Sequence, residues 1–342
     1  MKCALFTPFL RAERGNSITA RRIINGLTES GFEIDASGFC ETPLNHHITP
    51  VDIVHGFHAY YFGRDIIPYL PADMPTILSL TGTDYNVDLD DISRRSIILR
   101  ALSRADKIVV FHQNAKDLIL NQIPFYNSKV HIIPPGIEIV DEGYSAEIPG
   151  IESWEQVVLI VAGLRKVKNV SISIDAAAKV RQKGIPLKLV HVGPTIEEEV
   201  YQNIKARQHS NSWFISLGEV SHTLMARLYR RSAVVINTSL SEAIPNSILE
   251  AMYCQRPVIV SRIPGNLSVI QHNLNGLTYS SENELVEQLY MLLNNKEIAK
   301  KLGLAAEQYV KDNFNKKDEI AAYTRLYEEI ILTSGRNKYD QV

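Results

Sequence analysis

The chain has 342 residues, 45 % hydrophobic and 22 % charged, with a formal net charge of −2; that length suggests two domains, each rich enough in apolar residues for its own core. The near-neutral charge argues against a nucleic-acid or general polyanion binder, which carries a marked basic excess. Cys3, Cys40 and Cys254 lie far apart without zinc-type spacing, MKCALFTPFL lacks the long apolar core of a leader, and no run nears the ~20 apolar residues of a span, so a cytoplasmic protein with reduced thiols is expected.

Strand-like and helix-like patterns then alternate, the signature of parallel sheets wound on both faces. CALFTPF reads as a first strand and SITARRIINGLTESG as a helix, with Ser17 or Thr19 as its cap and Gly31 as its end. VDIVHGF, TILSLTG and KIVVFH are short, β-branched and apolar, as buried parallel strands are, and HIIPPGI closes the first half. DLDD (88–91) reads as a helix start, and His46-His47 as part of a polar surface loop. From Ile137 to Trp154 the periodicity fails among Gly, Pro and acids, which predicts the linker. A second series follows: strands QVVLIVAGL, LKLVHVG, SWFISLG, AVVINTS and PVIVSR, with helices near NVSISIDAAAKVRQKG, after Ile196, at LMARLYRRS and at NSILEAMYC. Roughly Glu282 to Ser334 reads as a long amphipathic, mostly surface-facing helical region.

The most informative stretch is SLSEAIPNSILEAMYCQRPVIVSRIPGN, Ser239 to Asn266. Glu242 follows a strand, Pro245-Asn246 opens a helix, and Glu250 lies about one turn inside it. A helix N-terminus offers free N–H groups and a positive dipole end, which suit a diphosphate. A carboxylate before such a helix accepts from sugar hydroxyls, and one on its inner face accepts two bonds from a ribose diol. Two glutamates at this spacing alone are also what a capping acid and a surface acid would give.

The whole string resembles the donor-site motif of the family 4 retaining glycosyltransferases, and NGL (275–277) fits that family's next landmark. VAGLRKVKN (161–169) resembles its diphosphate loop: Lys168 matches the family lysine, Gly163 stands in the usual arginine slot, and Arg165 comes two positions later. VHVGPT supplies Gly193, and SLGEV resembles the segment whose backbone reads the base, at Gly218 and Val220. Gly15-Asn16 matches the glycine loop of the opposite domain, and SLTGTDYN (79–86) the cleft loop that often reads L-H-G-T-D. There Thr81 replaces the usual histidine and Asp84 remains, with His58 of VHGFHAYY a second candidate and His55 assigned to structure. G-N-x-I-T-A, L-T-G-T-D, L-R-x-V-K and R-I-P-G-N are most similar to the subgroup of glycosyltransferase 1 domain-containing protein 1 and the bacterial selenosugar synthases.

The resemblance implies an α/β GT-B fold, two Rossmann-like doubly wound domains facing each other across a cleft, at 1–145 and 146–315, with a helix at 316–342 packing back toward the first. It implies transfer of a hexose or N-acetylhexosamine from a nucleoside diphosphate sugar, a UDP-sugar expected, with retention. Lys168 and Arg165 would hold the diphosphate, with the backbone of Ala243, Ile244, Pro245, Asn246 and Ser247. Glu242 would hold the donor sugar and Glu250 the ribose. Gly15 and Asn16 would face the diphosphate, with His58 and Asp84 on the acceptor side. No metal or other cofactor is expected, because no D-x-D pair stands at a donor-metal position. The acceptor, a homodimer and peripheral membrane contact stay open. So do transfer to an inorganic selenium or sulfur species, epimerisation, and sugar-nucleotide binding without catalysis.

Overall fold

The computed structural model describes residues 1–12, 15–41, 50–137, 139, 151 and 156–339, apart from the side chains of 222–223 and 334–339. Most of the predicted linker, and His46 with His47, lie outside these residues. The chain divides into two units, Met1–Gly136 with Phe314–Val342, and Ile137–Asn313.

In the first unit β1 (Lys2–Thr7), β2 (Glu33–Gly38), β3 (Ile53–Phe57), β4 (Thr76–Ser79), β5 (Lys107–Val110) and β6 (Val130–Ile132) form one sheet, ordered β2-β1-β3-β4-β5-β6. Every pairing is parallel, with Leu5 beside His55 and Val54 beside Thr76. Buried IVHGF and TILS run through its middle, as strands covered on both faces must. β2 (EIDASG) is an edge strand with alternating exposure, and lacks the apolar run by which its neighbours were recognised.

Helix α1 (Gly15–Glu29) buries Ala20, Ile23 and Leu27 at helical spacing. It begins at Gly15, so Ser17 and Thr19 are buried inside its first turns and do not cap it. At its far end Gly31 takes φ +90°, and the N–H of Phe32 closes back on the Leu27 carbonyl at 3.0 Å. Helices α2 (Ala59–Asp65), α3 (Thr83–Asn86), α4 (Ile92–Arg104) and α5 (Gln113–Gln122) follow strands β3 to β5. Asp91, the last residue of DLDD, caps α4 through the N–H of Ser93 at 2.8 Å.

The second unit is also a six-stranded parallel sheet, in a different strand order. β7 (Gln156–Val161), β8 (Leu187–Val192), β9 (Phe214–Ser216), β10 (Val234–Asn237), β11 (Val258–Ser261) and β12 (Leu277–Tyr279) pair in parallel, in the order β12-β11-β10-β7-β8-β9. Around them run α6 (Val170–Gln182), α7 (Glu198–Ser210), α8 (His222–Arg231), α9 (Asn246–Tyr253) and α10 (Pro264–Leu267). The core of one face joins Val158, Ile160, Ile174, Leu189, Ile236 and Ile259.

The predicted long surface region is instead three helices, α11 (Glu282–Asn294), α12 (Lys296–Asn313) and α13 (Lys316–Tyr339). Leu285, Leu289 and Leu302 enter the core of the second unit. α13 belongs to the first unit, where Tyr323, Leu326, Tyr327 and Ile330 join Cys3, Leu5, Ile23, Leu27 and Ile53 in one apolar cluster. A side chain at Gly26 would come within 2.4 Å of Ile320, so the absence of one lets α1 and α13 pack closely. The Arg22 guanidinium, half-buried, makes two bonds to buried Glu319, at 2.7 and 2.9 Å. Beneath α13, His55 Nδ1 meets Tyr327 Oη at 2.6 Å and His55 Nε2 meets Ser79 Oγ at 2.8 Å. Burial holds the His55 imidazole neutral, its pKa lowered to about 3.

Candidate active site

A doubly wound sheet binds ligands beyond the carboxyl ends of its strands, where the strand order reverses. In the second unit that point lies between β7 and β10, its first and fourth strands. The loop after β7 ends in a 3-10 turn, Lys166–Lys168, and the loop after β10 carries Ser239 to Pro245. Thr238 Oγ1 donates to the Lys168 carbonyl at 2.9 Å, and the Leu240 N–H donates to the Val167 carbonyl at 2.8 Å, stitching the loops together. Lys168 Nζ then donates to Glu242 Oε1 at 2.5 Å, the two side chains 15 % and 11 % exposed. Glu242 Oε1 also accepts from Ser239 Oγ at 2.6 Å and from Asn237 Nδ2 at 3.1 Å. Burial would push the Glu242 carboxyl up, but the charge of Lys168 and these three bonds outweigh it and hold its pKa below the ordinary 4.5. One of the three ammonium donors of Lys168 is thereby used, and the others suit an anion.

Helix α9 starts at Asn246 without a side-chain cap, one loop away from that pair. Glu250 lies on its buried face, and Tyr229 of α8 donates to Glu250 Oε2 at 2.7 Å. Burial, reinforced by the Glu250 charge, pushes the Tyr229 hydroxyl well above its ordinary value, so it stays protonated and keeps donating.

Three glycines fall together at the ends of β7, β8 and β9. Gly193 takes φ +151°, and a side chain there would come within 2.0 Å of the Ala162 carbonyl oxygen. Its N–H donates to the Gly218 carbonyl at 2.9 Å, with Gly218 at φ +72°, and a Cβ on Gly163 would meet Ile196 at 2.6 Å. His191 ties this group, its Nε2 2.7 Å from the Ala162 carbonyl and its Nδ1 2.9 Å from Ser216 Oγ. Arg165 opens the Lys166–Lys168 turn half-buried, its Nε without a partner among the described residues, and Val220 follows β9, also half-buried. Thus Gly163, Arg165, Lys168, Gly193, Gly218, Val220, Glu242 to Ser247 and Glu250 all stand on strand-end loops or the first turns of helices in one unit.

Gly15, Asn16, His58 and Asp84 belong to the other unit. Gly15 and Asn16 are the first residues of α1, inside the helix and not in the loop before it. Upstream, Glu41 accepts the N–H groups of Leu10, Arg11 and Ala12 at 2.8 to 3.1 Å, while Arg21 donates to the carbonyls of Leu10 and Ala12. Buried Asp84 accepts from the N–H groups of Thr81 and Gly82 and, at 3.1 Å, of Ala59, so one carboxylate clamps the ends of β3 and β4 together. His58, between them, has φ +70°, a conformation costly for a side-chain-bearing residue. Its Nε2 lies 3.7 Å from Asp88, which Arg94 also holds at 2.7 Å. Among the described residues, His58 Nδ1 and Thr81 Oγ1 are buried without partners.

Sequence reasoning passed over Tyr229, Asn237 and Ser239. The available signal was Asn237, a polar residue ending the apolar strand VVIN.

This arrangement sets a lysine from the loop after β7 and two glutamates from the segment after β10 at the switch point of a Rossmann-like unit. The chain matches Glycosyltransferase Family 4 over residues 5–140 and Glycosyl transferases group 1 over residues 145–309. It is 26 % identical to Glycosyltransferase 1 domain-containing protein 1 of Xenopus tropicalis over 337 residues, 94 % of this chain and 96 % of that protein. Its fold resembles sucrose-phosphate synthase from Thermosynechococcus elongatus, with TM-score 0.77 at 17 % identity over 97 % and 99 % of the two chains. It also resembles Anabaena HepE in complex with UDP-glucose, with TM-score 0.77 at 16 % identity over 96 % and 100 %. The chain belongs to the group 1 glycosyltransferases of the GT-B fold.

Proposed function

We propose that the chain transfers a hexose or N-acetylhexosamine from a UDP-sugar to an acceptor, with retention at the anomeric carbon. The observation that carries this reading is the Lys168–Glu242 pair across the β7/β10 switch point, one loop from the start of α9. The likeness to HepE, a structure that holds UDP-glucose, supports the choice of donor.

As the bond from the anomeric carbon to the phosphate oxygen breaks, negative charge gathers on the leaving diphosphate. Lys168, Arg165 and the amides at the start of α9 would meet that charge, preorganised by the bonds that already hold the two loops. Glu242 would accept from donor sugar hydroxyls. Glu250, steadied by Tyr229, would accept from the ribose. On the face that the leaving group occupies, its phosphate oxygen takes the acceptor's proton as the acceptor oxygen bonds to the anomeric carbon. No protein base is then demanded.

Lys168→Ala and Glu250→Ala test the assignment, with UDP release from UDP-glucose and UDP-N-acetylglucosamine followed across an acceptor panel. Loss of one charge-stabilising donor should lower kcat/KM by about 100-fold or more, roughly 3 kcal/mol in the barrier, with the circular dichroism spectrum unchanged. Wild-type kinetics in both variants would overturn it.

A further inference from the structure

Behind Glu242 lies a layer of buried polar side chains from β10, β11 and α10. Asn237, which ends β10, donates from Nδ2 to Glu242 Oε1 at 3.1 Å. Its Oδ1 accepts from the Ser239 N–H at 3.0 Å and from Asn266 Nδ2 at 3.2 Å. Asn266 is fully buried, and the same amide nitrogen donates to the carbonyl and hydroxyl oxygens of Ser261 at 2.9 and 3.0 Å. Ser261 Oγ donates in turn to the Ser239 carbonyl at 2.5 Å.

These bonds have a direction. Reversing the Asn266 amide would set its oxygen against the Ser261 carbonyl and the Asn237 Oδ1, so the nitrogen must face them. That in turn keeps the Asn237 oxygen turned toward Asn266 and its nitrogen toward the Glu242 carboxylate. Gly265 adds a steric constraint: a side chain there would come within 2.2 Å of the Glu242 carbonyl oxygen and 2.9 Å of its Cβ. Asn266 Oδ1 is buried with no partner among the described residues. One branch of the donors, from Asn266 through Asn237, ends on the Glu242 carboxylate, and the other, through Ser261, ends on the Ser239 carbonyl in the same loop.

We propose that Gly265 and Asn266 are positioning residues for Glu242, fixing where its carboxylate stands and so how well the site holds the hexose part of its donor rather than the nucleotide. This rests on the reading of Glu242 as the ligand of donor sugar hydroxyls. It gives R-I-P-G-N a physical task, although none of its side chains need touch the donor.

The test is calorimetric titration of UDP and of UDP-glucose into wild type, Asn266→Ala and Gly265→Ala, with thermal melting of each. In both variants the Kd for UDP-glucose should rise about 10-fold while that for UDP stays within about two-fold, the signature of a loss confined to the sugar end. Parallel weakening of both ligands, or no change in either, overturns the positioning role while leaving the donor site standing. Wild type that binds neither ligand overturns the donor site itself, and this role with it. Gly265→Ala keeps the question answerable if Asn266→Ala melts below the assay temperature.

Discussion

The two sheets reverse their strand order at different places, between β1 and β3 in the first unit and between β7 and β10 in the second, and the ends of their strands are furnished differently. In the second unit, charge meets charge: Glu242 takes Lys168, Ser239 and Asn237 on one oxygen, and Glu250 is held by Tyr229. In the first, the central carboxylate, Asp84, is spent on backbone N–H groups, while His58 Nδ1 and Thr81 Oγ1 stay buried without partners. The first pattern commits both carboxylates to side-chain partners. The second commits its carboxylate to backbone and leaves a buried ring nitrogen and a buried hydroxyl without partners among the described residues. The two units thus differ both in where their strand order reverses and in the side chains that stand at the strand ends.

Acid should have the largest effect, and on both units. His55 in the first and His191 in the second are both neutral and buried, with pKa values lowered to about 3 and about 4. The unfolded chain takes up a proton near pH 6.5 at each, so both contributions are complete above that pH and fall away as it drops. For His55 the loss should reach about 2 kcal/mol by pH 5, and it should continue down to about pH 3. Melting temperature against pH, for wild type and His55→Asn, reads this directly. An unchanged slope in the variant would show that His55 is not the neutral group beneath α13.

A smaller effect is expected at Glu250. Tyr229→Phe removes one buried bond and should weaken UDP binding about five-fold, near 1 kcal/mol, leaving the melting temperature within a few degrees. Equal affinity in the two proteins would mean that Tyr229 does not steady Glu250. The smallest change, and one of opposite sign, belongs to Thr81→Val. Removing a buried hydroxyl that has no partner should leave stability unchanged or raise it by up to about 1 kcal/mol, with UDP affinity unaltered. A clear loss of stability would show that the hydroxyl is satisfied, and would erase the contrast between the units.

Much of this was legible in the residues. IVHGF, VVLIV and VIVS announce buried parallel strands because both of their faces must be apolar. EIDASG did not, being an edge strand with one wet face, and the three residues of β12 are too few to show a period. The helices after residue 282 merged because no Gly or Pro separates them. Asn295 and Asn315, whose side chains accept the N–H groups of Ile298 and Lys317, were the signals that would have divided them. At the site, spacing and motif pointed to Lys168 and Glu242, but their contact spans 74 positions and follows only from the sheet order that sets β7 beside β10. The parts played by Tyr229 and Asn266 were illegible because a tyrosine in a helix and an asparagine in a short one have ordinary reasons to be there.

The spacing of the thiols has a practical outcome. Cys40 is exposed, whereas Cys3 sits beneath Tyr327 in the first unit and Cys254 is buried in the second. With Cys40 blocked, the rate at which a thiol reagent reaches Cys3 clocks the lifting of the last helix, and the rate at Cys254 clocks opening around α9. The native chain thus carries one chronometer in each lobe, and a ligand that slows only one of them reveals where it has bound.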